Sequence, residues 1–382
     1  MLLDTFLENK PLYYTEIDYT RMPRIYEKIK AYFNTTKVIH IVGTNAKGTT
    51  GRFLASALFA MGYKTAHYTS PHILDFNERI WIDGENVSNK SLENAHIELQ
   101  SILSQEDSDA LSYFEYTTFL AMLMFNGCDY IVLEAGLGGM HDATAVFPKL
   151  LTLVTPIDYD HQSFLGTEIE TIANEKLQAV QNNAIIAKQK HEAVYRVADE
   201  IIALNNVNII KLNAYISARD GFKIAEISSK LSLAQYLEDN LSLSIACLNF
   251  LGLPYDAKHF DNSKLFGRLT QYKKNVIIDV GHNPLAASSI VQALEGKKYT
   301  LIYNTYKDKE YKKILQILKP IILNVEIITI NLQRMVAIEE LQKTLTDLEI
   351  EYETFKEIDE SKNYLVFGSF SVVEAFLKGD SE

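Results

Sequence analysis

Three stretches of the chain combine residue types that could do chemistry on a phosphate. In the first, the apolar run Val38–Val42 leads into Gly43-Thr-Asn-Ala-Lys-Gly-Thr49. A turn of small residues before a helix aims backbone N–H groups inward, the helix N-terminus favours anions, and Lys47 can neutralise phosphate oxygens. The hydroxyl of Thr49 or Thr50 could cap the helix or meet a metal-bound phosphate. The stretch departs from G-x-x-x-x-G-K-[ST], because Gly48 follows the lysine and Ala46 precedes it. The plain alternative is a strand-to-helix turn carrying a solvated lysine.

The second stretch, Tyr130-Ile-Val-Leu-Glu-Ala-Gly-Leu-Gly-Gly139, puts Glu134 at the C-terminal end of an apolar strand, where open parallel sheets collect ligands. An acid there suits a hard cation that bridges phosphates, although a glutamate capping a loop reads the same way. Asp160-His161 follows the next strand, and a lone loop histidine carries little by itself. The third stretch is the helical pattern around Lys176, which shares a face with Ile169, Ile172, Ala173 and Val180. An inward lysine is costly unless paired or modified. Snorkelling to water is the commoner solution; the other is a carbamate, a carboxylate-like group able to ligate a cation.

These residues need elements to hold them. Only 17 glycines occur in the chain, yet Gly43, Gly48 and Gly51 cluster in one place and Gly136, Gly138 and Gly139 in another, as close backbone approach requires. Val38–Val42, Tyr130–Leu133, Leu150–Thr155, Ala184–Ala187 and Asn208–Lys211 read as strands; Thr49–Met61, Tyr116–Asn126, Ile169–Val180 and Asn240–Leu251 read as helices. Strands apolar throughout predict a parallel sheet covered on both faces. A second series follows: strands at Val276–Val280, Tyr299–Tyr303, Glu326–Ile330 and Tyr364–Phe367, with helices near Pro284–Leu294, Lys309–Leu318 and Ile338–Leu348. The expected architecture is α/β, a P-loop ATPase-like parallel-sheet domain over residues 1–262 and a smaller Rossmann-like domain over 263–382, with a polar hinge at Asp256–Lys264 and a cleft between the two.

Composition sets the outer bounds. The chain has 382 residues, 37 Lys+Arg against 49 Asp+Glu, and a net charge of −12, which argues against a nucleic-acid or anionic-membrane surface. Apolar residues at 47% and charged residues at 23% describe a globular chain. Two cysteines, Cys128 and Cys247, lie inside apolar stretches, so neither a disulfide framework nor a cysteine zinc site is expected. The N-terminus carries acids where a signal peptide is basic, and no run of about 18 apolar residues appears. A cytoplasmic monomer is the expectation.

Several longer motifs, in order, resemble the folylpolyglutamate synthase/dihydrofolate synthase family of the Mur ligase superfamily, from about Glu16 to Phe370. Gly43–Thr49 is similar to that family's phosphate loop, in which a glycine usually stands where Ala46 is. Tyr68-Thr-Ser-Pro-His-Ile-Leu-Asp-Phe-Asn-Glu-Arg-Ile80 resembles its folate-contacting loop and is the most specific match. Ser112–Glu115, Leu133–Gly139, Asp160-His161, Asn174-Glu-Lys176, Phe266-Gly-Arg268, Asp279–Pro284 and Phe367–Phe370 resemble its remaining blocks.

The resemblance implies that Gly43, Thr44, Asn45, Ala46, Lys47, Gly48 and Thr49 hold ATP phosphates, with Asn240, Arg268, Asp279 and His282 binding nucleotide from the other side of the cleft. It implies one magnesium ion at Ser70 and Glu134, and a second at Glu134, His161 and carbamylated Lys176. A pterin site would comprise Glu16, Ile17, Asp18 and Tyr19, with Ser112, Tyr113, Phe114, Glu115, His141, Asp142 and Ala143. Catalysis would rest on Lys47, Glu134, His161 and Lys176. Met140-His141 in place of Arg-Leu, Ala145 in place of asparagine, and Leu177-Gln178 after Lys176 in place of Ala-Gly depart from the family pattern.

The function so implied is an ATP-dependent amide-bond ligase joining L-glutamate to dihydropteroate and to reduced folates through an acyl phosphate, with no nucleic-acid or membrane partner. Three rivals remain: an enzyme that only extends folates, a Mur-type ligase acting on a peptidoglycan precursor, and a regulatory protein that binds ATP without acyl phosphate chemistry.

Overall fold

The computed structural model describes residues 1–10, 18–34 and 37–380. The chain divides into two units. The first comprises Met1–Asp158, Leu165–Leu231 and Asp239–Ser263; the second comprises Lys264–Glu382 together with Tyr159–Phe164 and Ser232–Glu238.

The first unit is built on eight strands: β1 (Val38–Val42), β2 (Thr65–Tyr68), β3 (Ile80–Ile82), β4 (Glu85–Asn86), β5 (Tyr130–Glu134), β6 (Leu151–Val154), β7 (Asn183–Ile186) and β8 (Asn208–Lys211). Their spatial order is β4-β3-β2-β5-β1-β6-β7-β8. From β2 to β8 every pairing is parallel, while β3 and β4 add an antiparallel edge. β1 and β5 are buried along their whole length, as expected of strands covered on both faces. The chain leaves β1 for β2 on one side of it and later enters β6 on the other, so the end of β1 is a switch point where a crevice opens.

Helix Lys47–Ala60 follows β1 and buries Phe53, Leu54, Ala55, Ala57 and Leu58. Helix Tyr113–Met124 starts in a capping box, in which Ser112 accepts from the Glu115 N–H and the Glu115 carboxylate accepts from the Ser112 N–H. That box explains a start three residues ahead of the apolar pattern.

The second unit is a six-stranded sheet of β9 (Thr270–Lys273), β10 (Val276–Ile278), β11 (Tyr299–Tyr303), β12 (Ile322–Ile327), β13 (Tyr352–Thr354) and β14 (Tyr364–Phe367), in the order β13-β12-β11-β14-β10-β9. All pairings but that of β9 with β10 are parallel. Helix Pro284–Ala293 begins with Asn283 as its cap and a proline in its first turn. β12 lies earlier than the expected Glu326–Ile330, because the 3-10 turn Lys319–Ile321, holding Pro320, ends the preceding helix and delivers Ile322 directly into the sheet. The expected hinge is an ordered turn, Ala257–Phe260, capped by Asp256. Among the described residues no helix is long and apolar enough to cross a membrane.

Candidate functional site

The phosphate loop leaves β1 with Gly43 at φ +144°, and a Cβ there would stand 2.0 Å from Thr155 Oγ1. Only glycine fits so close an approach. The stretch after β6 supports the loop from behind. Pro156 O accepts from the Thr44 and Asn45 N–H groups at 3.0 and 3.4 Å, and Thr44 Oγ1 donates to Asp158 O at 2.9 Å. Ala46 adopts φ +74°, ψ −8° immediately before the helix. That left-handed conformation costs an alanine roughly 1–2 kcal/mol and would favour the glycine that the resemblance implies there. Lys47 Nζ donates to the carbonyls of Gly43 and Thr44 at 3.3 and 3.2 Å, so the ammonium folds over the loop.

Glu134 ends β5 beside this loop, in register with Ile41 of β1, and is 4% exposed. The Thr69 hydroxyl donates to its carboxylate, as does the Ser70 N–H at 3.4 Å. Ser70 precedes a cis Pro71. Lys176 is also 4% exposed, and its Nζ donates to Gly43 O at 3.0 Å. Phosphate loop, Ser70, Glu134 and Lys176 therefore meet at one edge of the first sheet. The Gly136–Gly139 turn lies against the Lys176 helix: a Cβ on Gly139 would be 2.6 Å from Lys176 O, and the Met140 N–H donates to Glu175 O at 3.0 Å. Asn240 is buried on the helix Gln235–Phe250, which is tied to the start of the phosphate-loop helix by Ser244 Oγ donating to Thr50 O at 2.9 Å.

The donor set fits a hard divalent cation. Glu134 is a desolvated oxygen donor beside anion-binding backbone, and magnesium needs only one or two carboxylates when substrate phosphates complete its shell. Among the described residues no three His, Cys, Asp or Glu side chains converge.

The residues assigned to pterin fall into three groups. Glu16 and Ile17 lie outside the described residues. Tyr19 packs its ring on His141 with centroids 4.2 Å apart, while Phe114 stacks on Tyr68 at 5.8 Å and Tyr113 faces Arg79 at 5.3 Å. The remaining polar members are engaged locally. Asp18 accepts from Thr20 N and Oγ1 at 2.9 and 2.7 Å, and Glu115 pairs with Arg21 at 2.8 Å. Asp142, next to buried Ala143, accepts from the Leu137 N–H at 2.9 Å and from Thr144 N and Oγ1 at 2.9 and 2.5 Å. Burial raises the Asp142 carboxyl above its usual range, against the pull of these bonds.

In the second unit, Asp279 accepts from Leu269 N–H, Gly281 N–H and Tyr236 Oη at 2.8, 2.8 and 3.1 Å. Burial raises its carboxyl and the Arg268 charge opposes that. Arg268 lies over the Phe370 ring at 5.2 Å. His282 Nε2 stands 3.5 Å from Asp160 Oδ2. His161 takes φ +50°, with its N–H donating to Asp160 Oδ1 at 2.8 Å. Sequence reasoning assigned no role to Thr69, Tyr236, Asp160 or Lys309. Asp160 had a signal, its place beside His161; Lys309, on a polar stretch before a helix, had none.

A parallel sheet with a phosphate loop after its first strand and a buried glutamate on the neighbouring strand, followed by a second α/β sheet, is the framework of the ATP-dependent ligases of the Mur type. No family model matches the chain. The crystal structure of Helicobacter pylori folylpolyglutamate synthetase superposes with a TM-score of 0.79 at 39% identity, covering 99% of this chain and 97% of that one. The dihydrofolate synthase/folylpolyglutamate synthase of Haemophilus influenzae is 28% identical over 354 residues, 83% of this chain and 80% of that protein. Escherichia coli FolC in complex with DHPP and ADP shares the fold, with a TM-score of 0.82 at 24% identity over 98% of this chain and 95% of that one. The chain belongs to the dihydrofolate synthase/folylpolyglutamate synthase family.

Proposed function

We propose that the chain is an ATP-dependent carboxylate–amine ligase that joins L-glutamate to dihydropteroate and to reduced folates. The observation that carries this reading is the meeting of Gly43–Thr49, Glu134 and Lys176 at one sheet edge, in a chain 39% identical to a folylpolyglutamate synthetase over nearly its full length.

In the reaction the pterin substrate's carboxylate attacks the γ-phosphate of ATP, giving an acyl phosphate and ADP. The glutamate amine then attacks the acyl carbon, phosphate leaves, and the amine proton is lost to solvent or a base. Backbone N–H groups of residues 43–49 hold the phosphates, and Lys47 turns from the loop carbonyls to the β/γ end, where charge develops. Asn240, Arg268, Asp279 and His282 are the proposed nucleotide contacts. Ser70, Glu134, His161 and, once carbamylated, Lys176 are the proposed ligands of divalent cations, two magnesium ions by the family resemblance, which neutralise phosphate oxygens. A carbamate would keep one N–H on Nζ, able to donate to Gly43 O as the ammonium does.

A narrower reading, folate extension only, is favoured by the Asp142 geometry: with three donors already on its carboxylate, little acceptor capacity is left for a pterin ring. One assay separates the readings. With ATP, magnesium and glutamate, dihydropteroate yields dihydrofolate and phosphate under the first; tetrahydrofolate is extended while dihydropteroate is untouched under the second. Phosphate release that needs neither pterin nor glutamate would rule out both.

A further inference from the structure

One buried ion pair in the second unit has no part in the roles assigned so far. Lys309 Nζ meets Asp160 Oδ1 at 2.6 Å, with side chains 5% and 8% exposed. The same carboxylate receives three more groups. The His161 N–H donates to Oδ1 at 2.8 Å, Asn283 Nδ2 donates to Oδ2 at 3.2 Å, and His282 Nε2 lies 3.5 Å from Oδ2. The opposite edge of the His282 ring is held by Val280 O, 3.1 Å from Nδ1. Asn283 is in turn the cap of helix Pro284–Ala293, its Oδ1 accepting from the Ala286 N–H at 2.9 Å.

A buried ion pair is weak evidence of stability, since desolvation of both charges offsets most of their attraction. Its better-attested use is to fix one geometry among several. Here the fixed object is the turn after β10. Asp160 grips two consecutive residues of that turn, one a proposed nucleotide contact and the other the helix cap, and Lys309 anchors Asp160 by its other oxygen. With Val280 O 3.1 Å from Nδ1 and Asp160 Oδ2 3.5 Å from Nε2, the imidazole of His282 is bracketed at both edges. A neutral ring gives its single N–H to one of the two.

We propose that Asp160, anchored by Lys309, is a positioning residue that fixes the plane of the His282 ring and so the ring face it offers the nucleotide. The inference rests on the nucleotide contact of His282 proposed above, and the measurement separates the two. Mg2+-ADP affinity is measured by calorimetry for the wild type, Asp160→Asn, His282→Gln, the double variant, Lys309→Met and Lys309→Arg, with thermal melting as the check on folding. Asp160→Asn and His282→Gln should each weaken ADP binding about tenfold, a loss of about 1.4 kcal/mol. The double variant should bind no more weakly than the weaker single, because both remove one device. Lys309→Met should act like Asp160→Asn, and Lys309→Arg should stay within about threefold of wild type.

Wild-type ADP affinity in folded Asp160→Asn, or losses that simply add in the double variant, would overturn the positioning role. If His282→Gln is silent, the nucleotide contact of His282 fails instead. In that case long-range 1H–15N spectra of the His282 imidazole decide the positioning, and ring signals unchanged in Asp160→Asn overturn it. Should Asp160→Asn not fold, Lys309→Met carries the same comparisons.

Discussion

The ammonium of Lys176 donates to the carbonyl oxygen of Gly43 at 3.0 Å, across a sequence separation of 133 residues. It ties the helix Ile169–Leu177 to the first residue of the phosphate loop. Two readings of an inward lysine were open in the sequence, snorkelling to water or modification in place, and a side chain 4% exposed rules out snorkelling. Lys176→Ala should therefore lose at least a hundredfold in turnover while remaining folded. If the carbamate forms, added acetate or propionate should restore part of the activity by supplying the missing carboxylate. A folded Lys176→Ala variant with wild-type turnover, or one deaf to every short carboxylate, would count against the carbamate.

Lys47 is half-buried, and its Nζ donates to the loop carbonyls of Gly43 and Thr44. Lys47→Ala should melt within a few degrees of wild type yet lose several kcal/mol of transition-state stabilisation. Steady-state phosphate release tests this, and turnover within about tenfold of wild type would remove Lys47 from the phosphate-transfer role.

Gly43→Ala tests the loop from the other direction. An added methyl would overlap Thr155 Oγ1 at 2.0 Å and Thr155 O at 2.9 Å, at a φ of +144° that alanine avoids. The loop must then move away from Thr155, just past the end of β6. The expected result is a loss of stability of about 2 kcal/mol or more and loss of Mg2+-ADP binding by calorimetry. Undiminished ADP affinity would show that the loop backbone does not hold the phosphates.

Lys149 offers a pH test. It is buried, donates to Ala145 O at 2.9 Å, and burial lowers its pKa from 10.5 to about 8, with the Asp142 charge opposing the shift. Between about pH 8 and 10.5 the unfolded chain binds more protons at this residue than the folded one, so stability rises with pH through that window. The deficit, at most about 3 kcal/mol, is fully present below pH 8 and gone above the unfolded value. Lys149→Met should abolish this part of the pH dependence. Urea midpoints of the two proteins compared at pH 7 and pH 10 measure it, and a difference independent of pH would refute it.

Most of the parallel strands were readable because burial on both faces leaves a continuous apolar run, although the parallel β2 (Thr65–Tyr68) and the exposed β13 (Tyr352–Thr354) were not. Tyr299–Tyr303 and Tyr364–Phe367 fall where the run does. The antiparallel edge strands β3, β4 and β9 were not readable, being short and, in β4 and β9, half or more exposed. At the site, Lys176 was legible because helix periodicity places it among Ile169, Ile172 and Ala173. Asp142 was read as a pterin acceptor or a turn cap; its carboxylate takes three bonds from its own turn, contacts that depend on where Leu137 and Thr144 fold and that spacing does not encode. Asp160 was passed over in favour of His161, because its partner Lys309 lies 149 positions away and no local pattern joins them.

The second unit takes two short stretches, Tyr159–Phe164 and Ser232–Glu238, from within the sequence range of the first. Those stretches supply Asp160 to Lys309 and Tyr236 to Asp279. A chain beginning at Lys264 would hold every strand of the second sheet yet leave Lys309 without the Asp160 carboxylate it meets at 2.6 Å, with only Asp308 at 3.6 Å in its place. The last 119 residues or so are thus a layer of structure without being a heritable module, and duplication, swapping or transfer of that stretch alone between proteins would carry away a sheet that lacks two of its own buried partners. In the order of synthesis, the pieces that complete the second unit have left the ribosome long before the unit that needs them.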